Sequence, residues 1–189
     1  VHYSRAEEEL AHYVKNFAIP VVETMSGKTS LPWSNPLLVG PLGVTGSDPV
    51  NALVNESDLI IAVGTRLQDF TTGSWTLFGN KTIVAINVAR FDAIKRHSVA
   101  VVGDAKVTLE ELSELLKPAG ATRDQWLSRA ATLKQECETL RAQRQSLSSD
   151  IPTYAQVVIA TNDVARPEDY VLTAAGGLPG ELNNNWLAH

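Results

Sequence analysis

The chain has 189 residues, a formal net charge of -5, 44% hydrophobic and 20% charged residues, values typical of a globular protein rather than a disordered one. A mildly acidic chain with no long basic run disfavours nucleic acid and anionic membrane surfaces as partners. No apolar stretch approaches the ~20 residues that span a membrane, no secretory signal stands at the start, and the single cysteine, Cys137, is typical of a reducing compartment, so we expect a cytoplasmic protein.

The first third of the chain predicts a helix, a strand and a long loop. Ser4 and Glu7 have the spacing of a capping box, which predicts an amphipathic helix over residues 4–17. The β-branched run at residues 21–25 predicts a short buried strand. Residues 26–46 are rich in glycine and proline and predict a loop of a length that is often functional.

Strand and helix patterns alternate through the middle of the chain. A helix with Pro49 in its first turn is capped by Ser47 or Asp48. Three apolar runs predict strands that are buried on both faces, namely Leu59–Val63, Thr82–Val88 and Val99–Val102. Asp104 caps the next helix. The alternation predicts right-handed βαβ units, and therefore an α/β fold with a doubly wound parallel sheet.

The last third of the chain has two different patterns. Residues 122–147 carry mostly apolar side chains at alternating spacings of four and three, which predicts one long helix with a narrow seam. The seam consists of Trp126, Ala130, Leu133, Cys137, Leu140, Arg144 and Leu147. We favour a connector packed along its own domain over a coiled-coil partner site. A helix from Tyr154, a strand at Tyr170–Leu172 and a glycine-rich turn at residues 174–180 then predict a new, unfinished βα unit.

The sequence has no metal or nucleophile motif. None of the four histidines has a second histidine or cysteine at ligand spacing, and no serine lies in a nucleophile turn. We therefore assign no catalytic residue and no metal ligand.

Glycine-bearing turns are the remaining candidates for a binding site. Ligands of doubly wound sheets bind outside the carboxyl ends of the strands, where glycine lets a phosphate approach the backbone. Gly43, Gly64 with Thr65, and Gly176–Gly177 have this character, although such glycines also occur in ordinary turns. Arg66 can pair with a phosphate, or with Asp69 or Asp92 as a structural bridge. Asn87 stands where many dinucleotide folds keep an acidic residue for a ribose.

Several stretches together resemble the central domain of thiamine-diphosphate-dependent enzymes, a superfamily that includes acetohydroxyacid synthase and pyruvate oxidase. The stretches are Ile19–Val22 with Gly27, Leu42–Gly46, Ser57–Arg66, Ile83–Val88 and Val102–Ala105. Their order and spacing match over roughly residues 1–117. Residues 66–78, RLQDFTTGSWTLF, and 174–182, AAGGLPGEL, are similar to the family of 3D-(3,5/4)-trihydroxycyclohexane-1,2-dione hydrolases, the ring-opening enzymes of myo-inositol breakdown.

The resemblance implies a division of the chain into three parts. Residues 1–120 are expected to form the Rossmann-like central domain without its first strand, residues 121–150 a connector helix, and residues 151–189 the beginning of the C-terminal thiamine-diphosphate-binding domain. The abrupt start and end are those expected of a fragment of a longer enzyme.

The resemblance also implies a chemistry. The family uses thiamine diphosphate and Mg²⁺ to hydrolyse a carbon–carbon bond of the cyclic dione, which yields 5-deoxy-glucuronate. The activating glutamate and the metal ligands belong to regions outside this chain, so the chain alone is expected to be an inactive spacer and dimer scaffold in a homodimer or homotetramer. Gly176, Gly177, Leu178 and Pro179 are expected near the diphosphate end of thiamine diphosphate.

Two alternatives stay open. The first is the central domain of a related carboligase or decarboxylase such as acetolactate synthase. The second is a stand-alone FAD- or ADP-binding module that uses Gly43, Gly64, Thr65, Arg66 and Asn87. The run at residues 87–90 lacks the acidic residues of flavin-binding relatives, which disfavours this second alternative.

Overall fold

The computed structural model describes residues 1–118 and 123–188 of the chain. Its strands are all paired in parallel and form a two-stranded sheet and a three-stranded sheet in the order β3-β4-β5. The two-stranded sheet joins β1 (Val21–Glu23) and β2 (Leu38–Pro41); the larger sheet joins β3 (Leu59–Val63), β4 (Thr82–Asn87) and β5 (Val99–Val102).

Helices precede, connect and follow these strands. In chain order they are α1 (Glu7–Phe17), α2 (Asp48–Glu56), α3 (Asp69–Thr72), α4 (Arg90–Ala93), α5 (Ala105–Leu115), α6 (Asp124–Gln145), α7 (Tyr154–Val164) and α8 (Leu178–Asn185). Short 3-10 turns occupy His2–Ser4, Met25–Gly27 and Lys95–His97. Among the described residues, no helix is both long enough and apolar enough to cross a membrane.

Both sheets belong to one layer with helices on each face. Alternate side chains of a strand point to opposite faces. On one face, α1 and α5 pack in the same cluster as Leu38 of β2 and Ile61 and Val63 of β3. On the other, α2 and α6 pack with Val39 of β2 and Ile60 and Ala62 of β3. The predicted doubly wound α/β fold is therefore confirmed.

The handedness of the connections orders the strands across the layer. The β2–β3 and β3–β4 connections both lie on the α2 face, so right-handed crossovers make β2, β3 and β4 advance in one direction. The β1–β2 connection packs Leu31 on the α1 face, the opposite face of the layer. A right-handed connection on that face places β2 on the side of β1 that is away from β3. The free edges of β1 and β3 therefore face each other across a break between the two sheets.

The start of the chain differs from its prediction. The first α-helix begins at Glu7 instead of residue 4, because Arg5 takes a left-handed conformation with φ 49° after the first 3-10 turn. The predicted capping box is wrong. The Glu7 carboxylate contacts His2 Nδ1 at 2.8 Å, and Ala6 caps the helix without a side-chain bond.

One predicted strand and one predicted loop near this region also differ from the structure. The first strand ends at Glu23 instead of residue 25, because the Thr24 hydroxyl accepts a bond from the Gly27 N–H and caps a 3-10 turn. The predicted loop at residues 26–46 contains the fully buried strand β2. This strand is only four residues long and includes a glycine and a proline, so its composition hides it.

The middle elements follow their predictions more closely. Asp104 caps α5 as predicted and accepts bonds from the N–H groups of Lys106 and Val107. The strands β3, β4 and β5 are present, but burial on both faces is wrong for β3 and β5. Val99 is 58% exposed because β5 lies at an edge of the layer, and Leu59 is exposed at the start of β3.

The long helix packs along the domain, as predicted. Ala130 and Leu133 of α6 are buried against α2 and β2, and Cys137 packs beside them. Lys134 Nζ donates to the carbonyls of Trp33 and Asn35 at 2.7 and 2.8 Å.

The predicted strand at residues 170–172 is wrong. This segment has no regular structure, and Tyr170 and Leu172 are 96% and 95% exposed. A strand needs a neighbour for its backbone hydrogen bonds, and none of the described strands lies beside this segment.

Candidate functional site

The carboxyl ends of β3 and β4 bring together three of the predicted nucleotide-site residues. Gly64 turns the chain with φ 63°, and its N–H donates to the Ile86 carbonyl at 2.8 Å. The buried Asn87 amide donates to the Thr65 carbonyl at 3.0 Å and accepts from the Ala89 N–H at 2.9 Å. Asn87 therefore ties the two strand ends together, and both ends of its amide already have backbone partners.

Arg66 leaves its guanidinium largely in solvent. Its Nε lies 3.9 Å from Asp92 Oδ2, at the limit of an ion pair. Lys95 Nζ is much closer to Asp92, at 2.6 Å from Oδ1, and donates to the Arg66 carbonyl at 2.7 Å. Asp92 is thus mainly the partner of Lys95. The contact between Arg66 and Asp92 is long and exposed, so it stabilises the fold little.

A cleft beside Arg66 was not predicted from the sequence. It has a volume of about 330 Å³ and is lined by Leu67, Gln68, Asp69, Trp75, Lys95 and Arg96. Leu67, Trp75 and Arg96 have left-handed backbones with φ of 48°, 71° and 54°. Left-handed residues other than glycine carry strain, which tends to occur at functional sites. Their side chains give no sequence signal for it, so only the structure reveals it.

Gly43 has a structural reason for being glycine. Its φ is 102°, and an added Cβ would lie 2.3 Å from the carbonyl oxygen of Phe70. Its N–H donates to Asn51 Oδ1 at 2.9 Å, and its carbonyl accepts from Asn51 Nδ2 at 3.0 Å. The Gly43 N–H is therefore already bound within the fold.

The second predicted group surrounds the start of α8. Gly176 and Gly177 are exposed, whereas Leu178 and Pro179 begin the helix and are half-buried. Gly176 has φ 133°, and a Cβ there would meet no atom within 4 Å. Space for a ligand therefore lies against the backbone at Gly176.

The structure joins this helix to the glycine turn at residues 43–46, a contact that the sequence did not suggest. Asn183 Nδ2 and Asn184 Nδ2 both donate to the Thr45 carbonyl, at 3.0 and 2.9 Å. Lys28 Nζ donates to the Asn183 carbonyl at 2.9 Å and to Glu23 Oε1 at 2.7 Å.

Three of the titratable groups with shifted pKa values lie on or beside the long helix α6, and one of them, Cys137, contacts Ser47 at the end of the glycine turn at residues 43–46. Burial raises the pKa of the Cys137 thiol, whose Sγ lies 3.2 Å from Ser47 Oγ. Desolvation lowers the pKa of Lys134. A hydrogen bond to Arg129 lowers the pKa of Glu56. A protonated thiol is a poor nucleophile, and the part of the chain that the structure describes holds no cluster of three or more histidine, cysteine, aspartate or glutamate residues that would bind a metal.

A doubly wound parallel layer with glycine turns at its strand ends defines a Rossmann-like α/β domain. The family model described as "Thiamine pyrophosphate enzyme, central domain" matches residues 1–112, and the chain belongs to this family.

Relatives extend the similarity to nearly the whole chain. The chain is 34% identical to the 3D-(3,5/4)-trihydroxycyclohexane-1,2-dione hydrolase of Geobacillus thermodenitrificans, over 99% of the chain. The proteins of the same name from Listeria monocytogenes and Clostridium perfringens are 34% and 31% identical, over 97% and 98% of the chain. In each case the chain spans 33% of the relative's length.

Proposed function

We propose that this chain is the scaffold part of a thiamine-diphosphate- and Mg²⁺-dependent hydrolase that opens the ring of trihydroxycyclohexane-1,2-dione in myo-inositol catabolism. In that reaction a carbon–carbon bond next to a carbonyl breaks. Water supplies a hydroxyl group to the acyl carbon and a proton to the other carbon, so the product is open-chain 5-deoxy-glucuronate. Thiamine diphosphate, when bound, supplies the carbon nucleophile for the carbonyl.

The extent of the similarity carries this proposal. The family model ends at residue 112, whereas the identity to the hydrolases covers 97–99% of the chain, including the connector and α8. A likeness restricted to the shared scaffold would favour the carboligases and decarboxylases equally.

The described residues fit one end of the cofactor. At Gly176 the backbone is exposed and a side chain would meet no neighbour, which suits the approach of a diphosphate. Gly177, Leu178 and Pro179 then hold this turn on the start of α8. We propose that the metal ligands and the activating carboxylate come from other parts of the enzyme, and that the chain alone is inactive.

We also propose that the chain serves as an assembly scaffold in a cytoplasmic homodimer or homotetramer. Exposed apolar side chains support a larger assembly, since Tyr170, Leu172, Val164 and Ile151 lie in or beside the C-terminal helices and face solvent.

The first experiment measures ring opening of the dione by the full-length enzyme, with and without thiamine diphosphate and Mg²⁺. Cofactor-dependent formation of 5-deoxy-glucuronate is the expected result. Acetolactate formation from pyruvate, without ring opening, would instead support the carboligase alternative.

A pair of variants tests the role of the glycine turn in the same assay. Gly176 and Gly79 both have positive φ, and at neither would a Cβ meet an atom within 4 Å. Gly176→Ala is expected to raise the thiamine diphosphate concentration for half-maximal activity at least several-fold, and Gly79→Ala to leave it unchanged. Equal behaviour of the two variants would remove Gly176 from the proposed site.

A second candidate function is nucleotide binding at the β3–β4 edge. Two features favour it, the exposed guanidinium of Arg66 and a cleft with strained residues that begins at the next residue, Leu67. The test is thermal unfolding of the chain with ADP or FAD. Ligand at a hundred times its dissociation constant stabilises the chain by about 2.7 kcal/mol, whereas the scaffold proposal predicts no shift.

A further inference from the structure

A buried polar joint holds α8 against the central domain. Asn183 has 0% exposure, Glu23 is buried, and the Lys28 side chain that connects them is mostly buried. Lys28 bonds the Asn183 carbonyl on α8 and the Glu23 carboxylate at the end of β1, while Asn183 and Asn184 bond the Thr45 carbonyl. Three segments far apart in sequence therefore meet at one point.

The hydrogen bonds of this joint fix the orientation of α8 more than they stabilise the fold. Buried charges and amides stabilise a protein less than apolar packing of the same volume. Within the described residues, Glu23 Oε2 and Asn183 Oδ1 are buried without a hydrogen-bond partner. Hydrogen bonds do, however, fix the distance and angle between the groups that they join. Such a joint suits an element whose orientation matters.

The glycine turn at residues 43–46 supplies the carbonyl of Thr45, which accepts the hydrogen bonds from α8. A side chain at Gly46 would lie 2.4 Å from the Leu42 carbonyl carbon, and one at Gly43 would lie 2.3 Å from the Phe70 carbonyl oxygen. The two glycines thus allow the tight turn that presents the Thr45 carbonyl to α8. The Thr45 side chain also faces Gly180 in the first turn of that helix, at 3.6 Å from the position of an added Cβ.

We propose that Lys28, Glu23 and Asn184 are positioning residues for the cofactor, an inference that rests on the proposed function. Asn183 lies five residues after Leu178 in α8, about 8 Å along the helix axis at 1.5 Å per residue. A helix this short moves as a rigid unit, so the joint sets the place of the turn at Gly176–Gly177. A misplacement of about 1 Å can cost up to about 100-fold in rate where reacting groups are oriented, and we expect a displaced diphosphate turn to weaken cofactor binding in the same way.

The test uses the double variant Glu23→Gln/Lys28→Met in the full-length enzyme, since removing the lysine alone would leave a buried carboxylate unpaired. Lys81→Met is the matched control, because Lys81 Nζ likewise joins two acceptors, in its case the backbone carbonyls of Asn55 and Ser57, at 2.7 and 2.9 Å. The double variant is expected to raise the thiamine diphosphate concentration for half-maximal activity at least tenfold. At saturating cofactor, kcat should fall less than threefold, and Lys81→Met should change neither value.

Hydrogen exchange of the α8 amides gives a readout that does not depend on activity. Exchange should become faster in the double variant and stay unchanged in Lys81→Met. If the double variant unfolds at the assay temperature, Asn184→Ala replaces it, since this half-buried side chain donates to the same Thr45 carbonyl.

The outcomes separate the inference from the function on which it rests. Faster α8 exchange together with the raised cofactor requirement supports the positioning role. An unchanged cofactor requirement, beside an unmodified enzyme that depends on thiamine diphosphate, overturns the positioning role alone. An unmodified enzyme that is active without thiamine diphosphate overturns the proposed function, and the positioning role with it.

Discussion

Replacing Leu133 by alanine measures how firmly the long helix α6 is built into the central domain. Leu133 is 1% exposed and packs in the cluster formed with α2 and β2. A buried leucine-to-alanine change costs the lost transfer free energy and the energy of the remaining cavity, 2–5 kcal/mol in all. The helix α2 and the strand β2 around Leu133 cannot both move in to fill the cavity. We therefore expect Leu133→Ala to lower the free energy of unfolding by about 3–4 kcal/mol. At about 2–4 °C per kcal/mol for a chain of this size, Tm falls by roughly 6–16 °C.

The assay is thermal and urea unfolding followed by far-UV circular dichroism. Leu140→Ala, seven residues further along the same helix and only half-buried, is the control and should cost about 1 kcal/mol. A cost below about 1 kcal/mol for Leu133→Ala, equal to that of the control, would refute the packing of α6 against this core.

Three further predictions concern backbone and titration. Gly43→Ala should lower the free energy of unfolding in urea by about 3 kcal/mol or more, because the added Cβ would lie 2.3 Å from a carbonyl oxygen. The control Gly79→Ala, with open space around it, should lower it by only about 1 kcal/mol. Equal values for the two variants would contradict the close approach at Gly43. Asn87→Ala should cost about 1–3 kcal/mol in urea unfolding, because the Thr65 carbonyl loses its partner; no loss of stability would contradict this structural role. Burial raises the pKa of the Cys137 thiol, so this thiol ionises at a lower pH in the unfolded chain than in the folded one, and its contribution to stability is lost as the pH rises through its folded pKa. At mildly alkaline pH iodoacetamide should therefore alkylate the folded chain more slowly than the urea-unfolded chain, and equal rates would contradict the burial.

Local sequence patterns were enough to find most of the regular elements. An apolar run closed by Gly64 predicted β3, and the Asp104 cap predicted α5, because each signal lies within a few residues of the element. The seam that includes Ala130 and Leu133 predicted α6 and its packing. The strand β2 was missed because its residues carry turn composition and its burial depends on distant helices.

The candidate site was predictable only where topology dictates it. The carboxyl ends of adjacent parallel strands meet, so the approach of Thr65 and Asn87 follows from the strand pattern. The bond from Asn183 to the Thr45 carbonyl joins residues 138 positions apart and leaves no local signal. The same limit applies to Gly43, because the Phe70 backbone that excludes a side chain there is distant in sequence.

The failures in burial share one physical cause. An apolar pattern reflects the surroundings in which a segment is finally packed, and the described residues supply only part of those surroundings. Val99 at an edge of the layer and Tyr170 and Leu172 in the irregular segment have the composition of buried strands, yet they face solvent. The free edges of β1 and β3 likewise face each other without a ladder of hydrogen bonds. Unpaired edges and exposed apolar runs are costly in an isolated chain, so an apolar pattern predicts burial only where the covering neighbour is among the described residues.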